Sequence, residues 1–352
     1  MSTSDVILII TPFVPKPEWL QHLKSNVPSL EVLVYPTKLY ATEVPNEVPV
    51  EVWNRITALF TWKAFPPKDW VPNLQFVQLL SAGCAQIFGL PLFEETDVAF
   101  STSNGSHAPQ VAEWVFATWL SHQHFLPHYL DLQKQNKWVD PDSDEDTEDS
   151  VGLRVGILGY GNIGRQVAKI ATSLGMDVHA YTLHERATAE SRKDNGFVEK
   201  GLGDPDGLLP KKWFYGQDQL NDFLASDLDL LVILLPLTDQ TRNMLSKEQF
   251  EILSKKKPYV ANAGRGPIIN TEDLISALDK EQIRGAALDV TDPEPLPEDS
   301  KLWKYNNVII TPHCAGNSSH VYERVFKILT YNLIRRHEGQ QPINKVRKAL
   351  GY

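Results

Sequence analysis

Three short segments of this chain each follow an apolar run and carry one side chain suited to chemistry. Asn262-Ala263-Gly264-Arg265-Gly266 presents an arginine, and Asp289-Val290-Thr291-Asp292-Pro293-Glu294-Pro295 presents a carboxylate. Thr311-Pro312-His313-Cys314-Ala315-Gly316 presents a histidine. Each alone is ordinary: an arginine at a strand end is commonly a solvated ion pair, and a single histidine a structural hydrogen-bonder. Together, downstream of a dinucleotide turn, they make a set suited to hydride transfer. The planar guanidinium of Arg265 can bind a carboxylate through two parallel hydrogen bonds. A histidine such as His313 can pass a proton near neutral pH, and a carboxylate such as Glu294 can hydrogen-bond its ring. Cys314 has no second ligand at metal-site spacing, so no metal is expected there.

The hydride source is encoded earlier. Val155-Gly156-Ile157-Leu158-Gly159-Tyr160-Gly161-Asn162-Ile163-Gly164 is an apolar strand running into a glycine-rich turn that opens a helix. Gly159 permits the tight turn, Gly161 lets the backbone approach phosphate oxygens, and Gly164 lets the helix pack closely on the strand. The helix N-terminus then offers unpaired N–H groups to a dinucleotide pyrophosphate. The next strand ends in Tyr181-Thr182-Leu183-His184-Glu185-Arg186, where an NAD-dedicated protein carries Asp or Glu for the ribose 2′-hydroxyl. Thr182 cannot repel a 2′-phosphate, and His184 and Arg186 can pair with one. NADPH is therefore favoured over NADH, with Glu185 as the opposing feature.

The elements that must position these groups follow from hydrophobic pattern. Strands are expected at Val6–Ile10, Glu31–Tyr35, Ile56–Phe60, Leu74–Leu80, Leu153–Leu158, Asp177–Tyr181, Leu228–Leu235, Tyr259–Ala261, Gly285–Leu288 and Val308–Ile310. Helices are expected at Pro17–Leu23, Pro109–Leu120, Ile163–Leu174, Gln217–Ala225, Lys247–Leu253, Asn270–Leu278 and Ser319–His337. The alternation indicates an α/β protein with two Rossmann-like, doubly wound domains. Residues 1–120 with 318–352 form a discontinuous, flavodoxin-like substrate domain. Residues 121–317 form an inserted dinucleotide domain of about six parallel strands. Substrate is expected between the two. Leu183–Trp213, punctuated by glycine and proline, reads as an irregular surface insertion.

At 352 residues the chain is long enough for two cores, and 42% hydrophobic with 22% charged residues is an ordinary globular composition. A net charge of -10 disfavours nucleic acid or an anionic membrane as partner. Much of it is local, since seven of the ten residues from Asp140 to Asp149 are acidic. That acidic loop, 140–150, reads as a solvated linker. Two cysteines imply no disulfide framework, Met-Ser-Thr-Ser-Asp lacks the basic start of a secretory signal, and Leu230–Leu237 is too short to span a bilayer. The expected location is cytoplasmic.

These motifs, in this order, resemble those of the D-isomer-specific 2-hydroxyacid dehydrogenases. The resemblance takes in Ser81-Ala82-Gly83, Gln110-Val111-Ala112-Glu113-Trp114, the glycine turn, Leu235-Pro236-Leu237-Thr238 and the three segments above. The tail Pro342-Ile343-Asn344-Lys345-Val346 with Gly351-Tyr352 is most similar to the glyoxylate/hydroxypyruvate reductase branch. It implies Arg265, Glu294 and His313 as the catalytic set. Ala82 and Gly83 would aim backbone N–H groups at the substrate carboxylate, with Trp62 lining the substrate. Gly159, Tyr160, Gly161, Asn162, Ile163, Gly164, Thr182, His184, Arg186, Pro236, Ala263, Gly264, Asp289, His313, Ala315 and Gly316 would bind the cofactor, Asp289 through the nicotinamide carboxamide. The implied activity is NAD(P)H-dependent reduction of a small 2-keto acid to the D-2-hydroxy acid, by a homodimer. The chain departs from the family at Cys84-Ala85, and Cys84 reads as a small buried filler. The alternative is a non-enzymatic NAD(H)-sensing corepressor on the same fold, with the acidic loop as its docking element. A formate-type dehydrogenase is disfavoured by Glu294, since that branch resembles a glutamine beside its histidine.

Overall fold

A computed structural model of the chain describes residues 5–348, so Gly351 and Tyr352 of the tail resemblance lie outside the described residues. The chain divides into two compact units, Met1–His107 with Ser318–Tyr352, and Ala108–Asn317.

The first unit is built on β1 (Val6–Ile10), β2 (Glu31–Val34), β3 (Ala58–Thr61), β4 (Phe76–Leu79) and β5 (Ala99–Ser101). They pair in the order β2-β1-β3-β4-β5, every pair parallel. β1 is Val-Ile-Leu-Ile-Ile and buried throughout, because a parallel sheet is covered on both faces. Ile7 and Ile9 pack with Leu23, Val325, Phe326 and Leu329, from helices Pro17–Asn26 and Val321–His337. Leu8 and Ile10 face the other way, into a core with Trp53, Ile87, Phe93 and Phe100. The C-terminal helix thus packs within the first unit. The short strand β5 and helix Val50–Arg55 are additions to the expected set.

The second unit has seven parallel strands: β6 (Arg154–Leu158), β7 (Asp177–Thr182), β8 (Lys212–Tyr215), β9 (Leu230–Ile233), β10 (Tyr259–Asn262), β11 (Gly285–Leu288) and β12 (Val308–Ile310). Their order is β12-β11-β10-β9-β6-β7-β8. The chain winds outward from β6 through β7 to β8, then returns to β9 on the other side. The end of β6 is therefore the switch point where open α/β sheets bind ligands.

Two expectations need correction. Helix Ala108–Gln123 belongs to the second unit, not to a first domain ending at residue 120. Its Ala112, Val115, Phe116 and Trp119 pack against Val167, Ala168 and Ala171 of helix Asn162–Ser173. Each large apolar side chain so buried contributes about 1.5–3 kcal/mol, which fixes the helix there. The insertion Leu183–Trp213 is not wholly irregular. It holds a one-turn helix, Ala189–Arg192, closed by a Thr188/Ser191 capping box, and it leads into β8 at the sheet edge. The acidic residues 140–149 are exposed as expected, while Ser150 behind them is buried and hydrogen-bonded by Trp119 Nε1 at 3.1 Å. No helix among the described residues is long and apolar enough to cross a membrane.

Candidate active site

The glycine turn lies directly after β6, at the switch point. Gly159 has φ +114°, a conformation that strains any side chain, and a Cβ there would sit 3.0 Å from the Leu234 backbone. At Gly164 a Cβ would stand 2.4 Å from the Gly159 carbonyl oxygen, so only glycine lets helix and turn approach this closely. Gly161 is different: a Cβ there would meet nothing within 4 Å. Gly161 is also the N-cap of helix Asn162–Ser173, which has no side-chain cap. The first-turn N–H groups thus open onto free space past a residue without a side chain. A dinucleotide pyrophosphate fits that cradle.

At the end of β7, the Thr182 hydroxyl donates to the His184 carbonyl at 2.7 Å, which curls the chain. His184 and Glu185 are exposed. Arg186 donates from Nη1 to the Ser191 carbonyl at 2.5 Å. Its remaining N–H groups have no partner among the described residues.

The three chemical segments end adjacent strands β10, β11 and β12. Asn262 shapes the first: its amide donates to the Arg265 carbonyl at 3.1 Å and its oxygen accepts from Gly264 N–H at 3.0 Å. A Cβ on Gly264 would lie 3.0 Å from the Leu235 carbonyl, so Gly264 and Ala263 run beside the segment holding Pro236. A Cβ on Gly266 would lie 1.9 Å from the Thr291 carbonyl. Glycine at that position brings the Arg265 and Glu294 segments into backbone contact. Arg265 itself donates from Nη1 to the Gly264 carbonyl at 2.7 Å.

His313 Nδ1 and Glu294 Oε1 are 2.6 Å apart, both side chains about half-exposed. A carboxylate only accepts, so Nδ1 carries the proton in this bond and Nε2 is the free end of the ring. His313 holds φ +53°, stabilised by its N–H donating to the Asp289 carbonyl at 2.9 Å. The Asp289 carboxylate, 4% exposed, anchors the same loop. Its Oδ1 accepts from Thr311 Oγ1 at 2.6 Å, Cys314 N–H at 2.9 Å and Ala315 N–H at 3.0 Å. Trp114 Nε1 donates to Thr311 Oγ1 at 3.0 Å, and Gln110 donates to the Gly316 carbonyl at 3.0 Å. Helix Ala108–Gln123 therefore braces the histidine loop from below. The motif Gln110–Trp114 was visible in the sequence, but this bracing role was not.

On the first unit, Trp62 follows β3 and Ala82-Gly83 follow β4. The Trp62 ring lies 4.7 Å from that of Tyr40, with the Lys63 ammonium over both. Ser81 donates to the Gly83 carbonyl at 2.6 Å. Gln86 Nε2 donates to Ser81 Oγ at 2.7 Å and to the Trp62 carbonyl at 3.3 Å. Gln86 ties the two loops together, and nothing in its sequence context marks it. Cys84 is buried in the core, as expected of a filler.

Residues 116–203 and 211–315, more than half the chain, match the model of the D-isomer specific 2-hydroxyacid dehydrogenase NAD binding domain. A glyoxylate/hydroxypyruvate reductase A of Photorhabdus laumondii is 26% identical over 98% of this chain and 99% of its own length. An uncharacterized protein of Corynebacterium melassecola is 42% identical over 36% of this chain and 41% of its own. Among solved structures, a D-isomer specific 2-hydroxyacid dehydrogenase of Xanthobacter autotrophicus in complex with NADPH matches with TM-score 0.75 and 26% identity. It covers 99% of this chain and 100% of that one. An NADPH-dependent glyoxylate/hydroxypyruvate reductase of Sinorhizobium meliloti in complex with NADP matches with TM-score 0.70 and 25% identity, covering 99% and 100%. The chain belongs to the D-isomer specific 2-hydroxyacid dehydrogenases, oxidoreductases that use NAD(P).

Proposed function

We propose that this protein reduces glyoxylate, hydroxypyruvate or a 2-keto acid of similar size to the D-2-hydroxy acid, with NADPH preferred over NADH. The observation that carries this reading is the 2.6 Å contact between His313 and Glu294, on a strand-end rim shared with Arg265. The bound reduced nicotinamide supplies hydride to the keto carbon. Arg265 holds the substrate carboxylate through its guanidinium fork and draws electron density from the adjacent carbonyl. His313 donates the Nε2 proton to the ketone oxygen as it gains negative charge, and recovers a proton from solvent afterwards. Glu294 keeps the imidazole from rotating through its hydrogen bond to Nδ1, which leaves Nε2 turned to the substrate. Ala82 and Gly83 offer backbone N–H groups to the carboxylate, and Trp62 contacts the substrate side chain. Gln86 holds both loops in shape.

NADPH is favoured because Thr182 lacks a negative charge and Arg186 keeps N–H donors without a partner among the described residues. The NADPH and NADP bound to the two solved relatives support the same choice. Steady-state turnover with NADPH and NADH on glyoxylate, hydroxypyruvate and pyruvate tests the reading. His313→Ala is expected to lower kcat by about 10²–10⁴-fold, the range of a lost general acid. Absence of turnover on every keto acid, or a loss below about threefold in that variant, refutes it.

A further inference from the structure

Where the insertion 183–213 meets the dinucleotide turn, three polar groups are more deeply buried than any in the candidate catalytic set. Asp204 is 5% exposed, Tyr160 5% and Arg165 4%. The Asp204 carboxylate accepts from the Tyr160 hydroxyl at 2.7 Å and from the N–H groups of Leu208 and Leu209 at 3.0 and 3.1 Å. Its backbone carbonyl accepts from Arg165 Nη1 at 2.5 Å. Tyr160 belongs to the glycine turn and Arg165 to the first turns of its helix. Burial and the neighbouring carboxylate raise the phenol well above its ordinary range, so it remains a hydrogen-bond donor. The insertion is thus clamped to the underside of the dinucleotide turn.

The clamp reaches further. Arg165 Nη2 donates to the Arg192 carbonyl at 2.7 Å, and Arg192 Nε donates to the Arg186 carbonyl at 2.8 Å. The Arg192 guanidinium lies over the Trp213 ring, which in turn packs edge-on against Tyr160. A Cβ on Gly207 would stand 2.5 Å from the Arg192 carbonyl oxygen, so the segment after Asp204 is pressed against the same residue. An unbroken path therefore runs from Asp204 through Arg165 and Arg192 to Arg186. The family match breaks at residue 203 and resumes at 211, so Asp204 and the turn it closes lie outside the matched residues.

We propose that Asp204 is a positioning residue for cofactor selection: its clamp on Tyr160 and Arg165 fixes Arg192, and through it Arg186, for the 2′-phosphate of NADPH. This rests on the reading of Arg186 as the 2′-phosphate ligand. The physical logic is preorganisation. A guanidinium held in place loses less rotamer entropy on meeting phosphate than one on a free loop. NADH has no group for Arg186 to meet, so it draws on the clamp only through the pyrophosphate turn that both cofactors share.

The test measures dissociation constants of NADPH and NADH by calorimetry on the full chain, with no keto acid present. Asp204→Ala is expected to weaken NADPH by about tenfold or more and NADH by less than about threefold. Asp204→Asn, whose amide oxygen can still accept from the Tyr160 hydroxyl and Leu209 N–H while its NH2 faces Leu208 N–H, is expected to restore part of the selectivity. Where Asp204→Ala does not fold, Arg192→Leu cuts the path on the solvent side of the clamp and is expected to give the same selective loss. Equal weakening of both cofactors, or no change in their ratio in whichever variant folds, overturns the proposal. Arg186→Ala separates it from the reading beneath it. An unchanged ratio there refutes Arg186 as the ligand, whereas a changed ratio there with none in Asp204→Ala refutes the clamp alone.

Discussion

Asp289 offers the sharpest test of how the histidine loop is held. Sequence resemblance assigns its carboxylate to the nicotinamide, but in the structure that group already serves Thr311, Cys314 and Ala315. Asp289→Asn keeps the shape and one acceptor oxygen while removing the charge. Hydrogen bonds to a charged acceptor contribute about 1.5–3 kcal/mol and neutral ones about 0.5–1.5, so each of three bonds weakens by about 1 kcal/mol. The second carboxylate oxygen, 3.0 Å from Ala315 N–H, becomes an amide donor facing a donor. The expected cost is therefore about 3 kcal/mol. For a unit of this size that lowers Tm by roughly 6–12 °C, readable by scanning calorimetry. Because the same loop holds His313 at φ +53°, kcat is expected to fall together with Tm. A Tm within about 2 °C of the parent would refute the anchoring argument. A fall in kcat without a fall in Tm would return Asp289 to direct cofactor contact.

Gly164→Ala places a methyl 2.4 Å from the Gly159 oxygen and 3.0 Å from Ile157 Cγ2, so helix and turn must separate. NADPH affinity is expected to fall by more than about tenfold, whereas unaltered binding would show that the close approach is not needed. Acid stability provides a second check. Burial, reinforced by Arg324 and Arg284 respectively, lowers His107 and His122 from 6.5 to about 4. Both stay neutral in the folded protein while their unfolded counterparts take up protons below pH 6.5, so stability is lost as pH falls from 6.5 towards 4. At pH 5 each contributes a loss of up to about 2 kcal/mol relative to pH 8. His107 lies in the first unit and His122 in the second, so both transitions in calorimetry should move down. Replacing His122 by Gln should flatten that dependence in one transition only; equal slopes before and after would contradict it.

What was legible in the chain, and what was not, divides by the range of the interaction involved. β1 and β11 stand where apolar runs put them, because a strand covered on both faces must be continuously apolar over its own few residues. The rim of Arg265, Glu294 and His313 was legible for a related reason: parallel strands place their following loops at one edge of the sheet, whatever the loops contain. β8 was not, since Lys212-Trp213-Phe214-Tyr215 follows a proline- and glycine-rich stretch and pairs with β7 only on one side. Helix Ala108–Gln123 was visible as a helix but not as part of the second unit, because its apolar face does not name the surface it will cover. Asp204 is the extreme case. It sits in Gly203-Asp204-Pro205-Asp206-Gly207, a composition that marks an exposed turn. Its burial depends on a hydroxyl 44 residues earlier. A buried carboxylate survives only where donors from other segments converge on it, and local pattern holds no record of them. Interactions that hold a loop in place, rather than those that form an element, are therefore where structure adds most to this sequence, and the proposed control of cofactor choice rests on one of them.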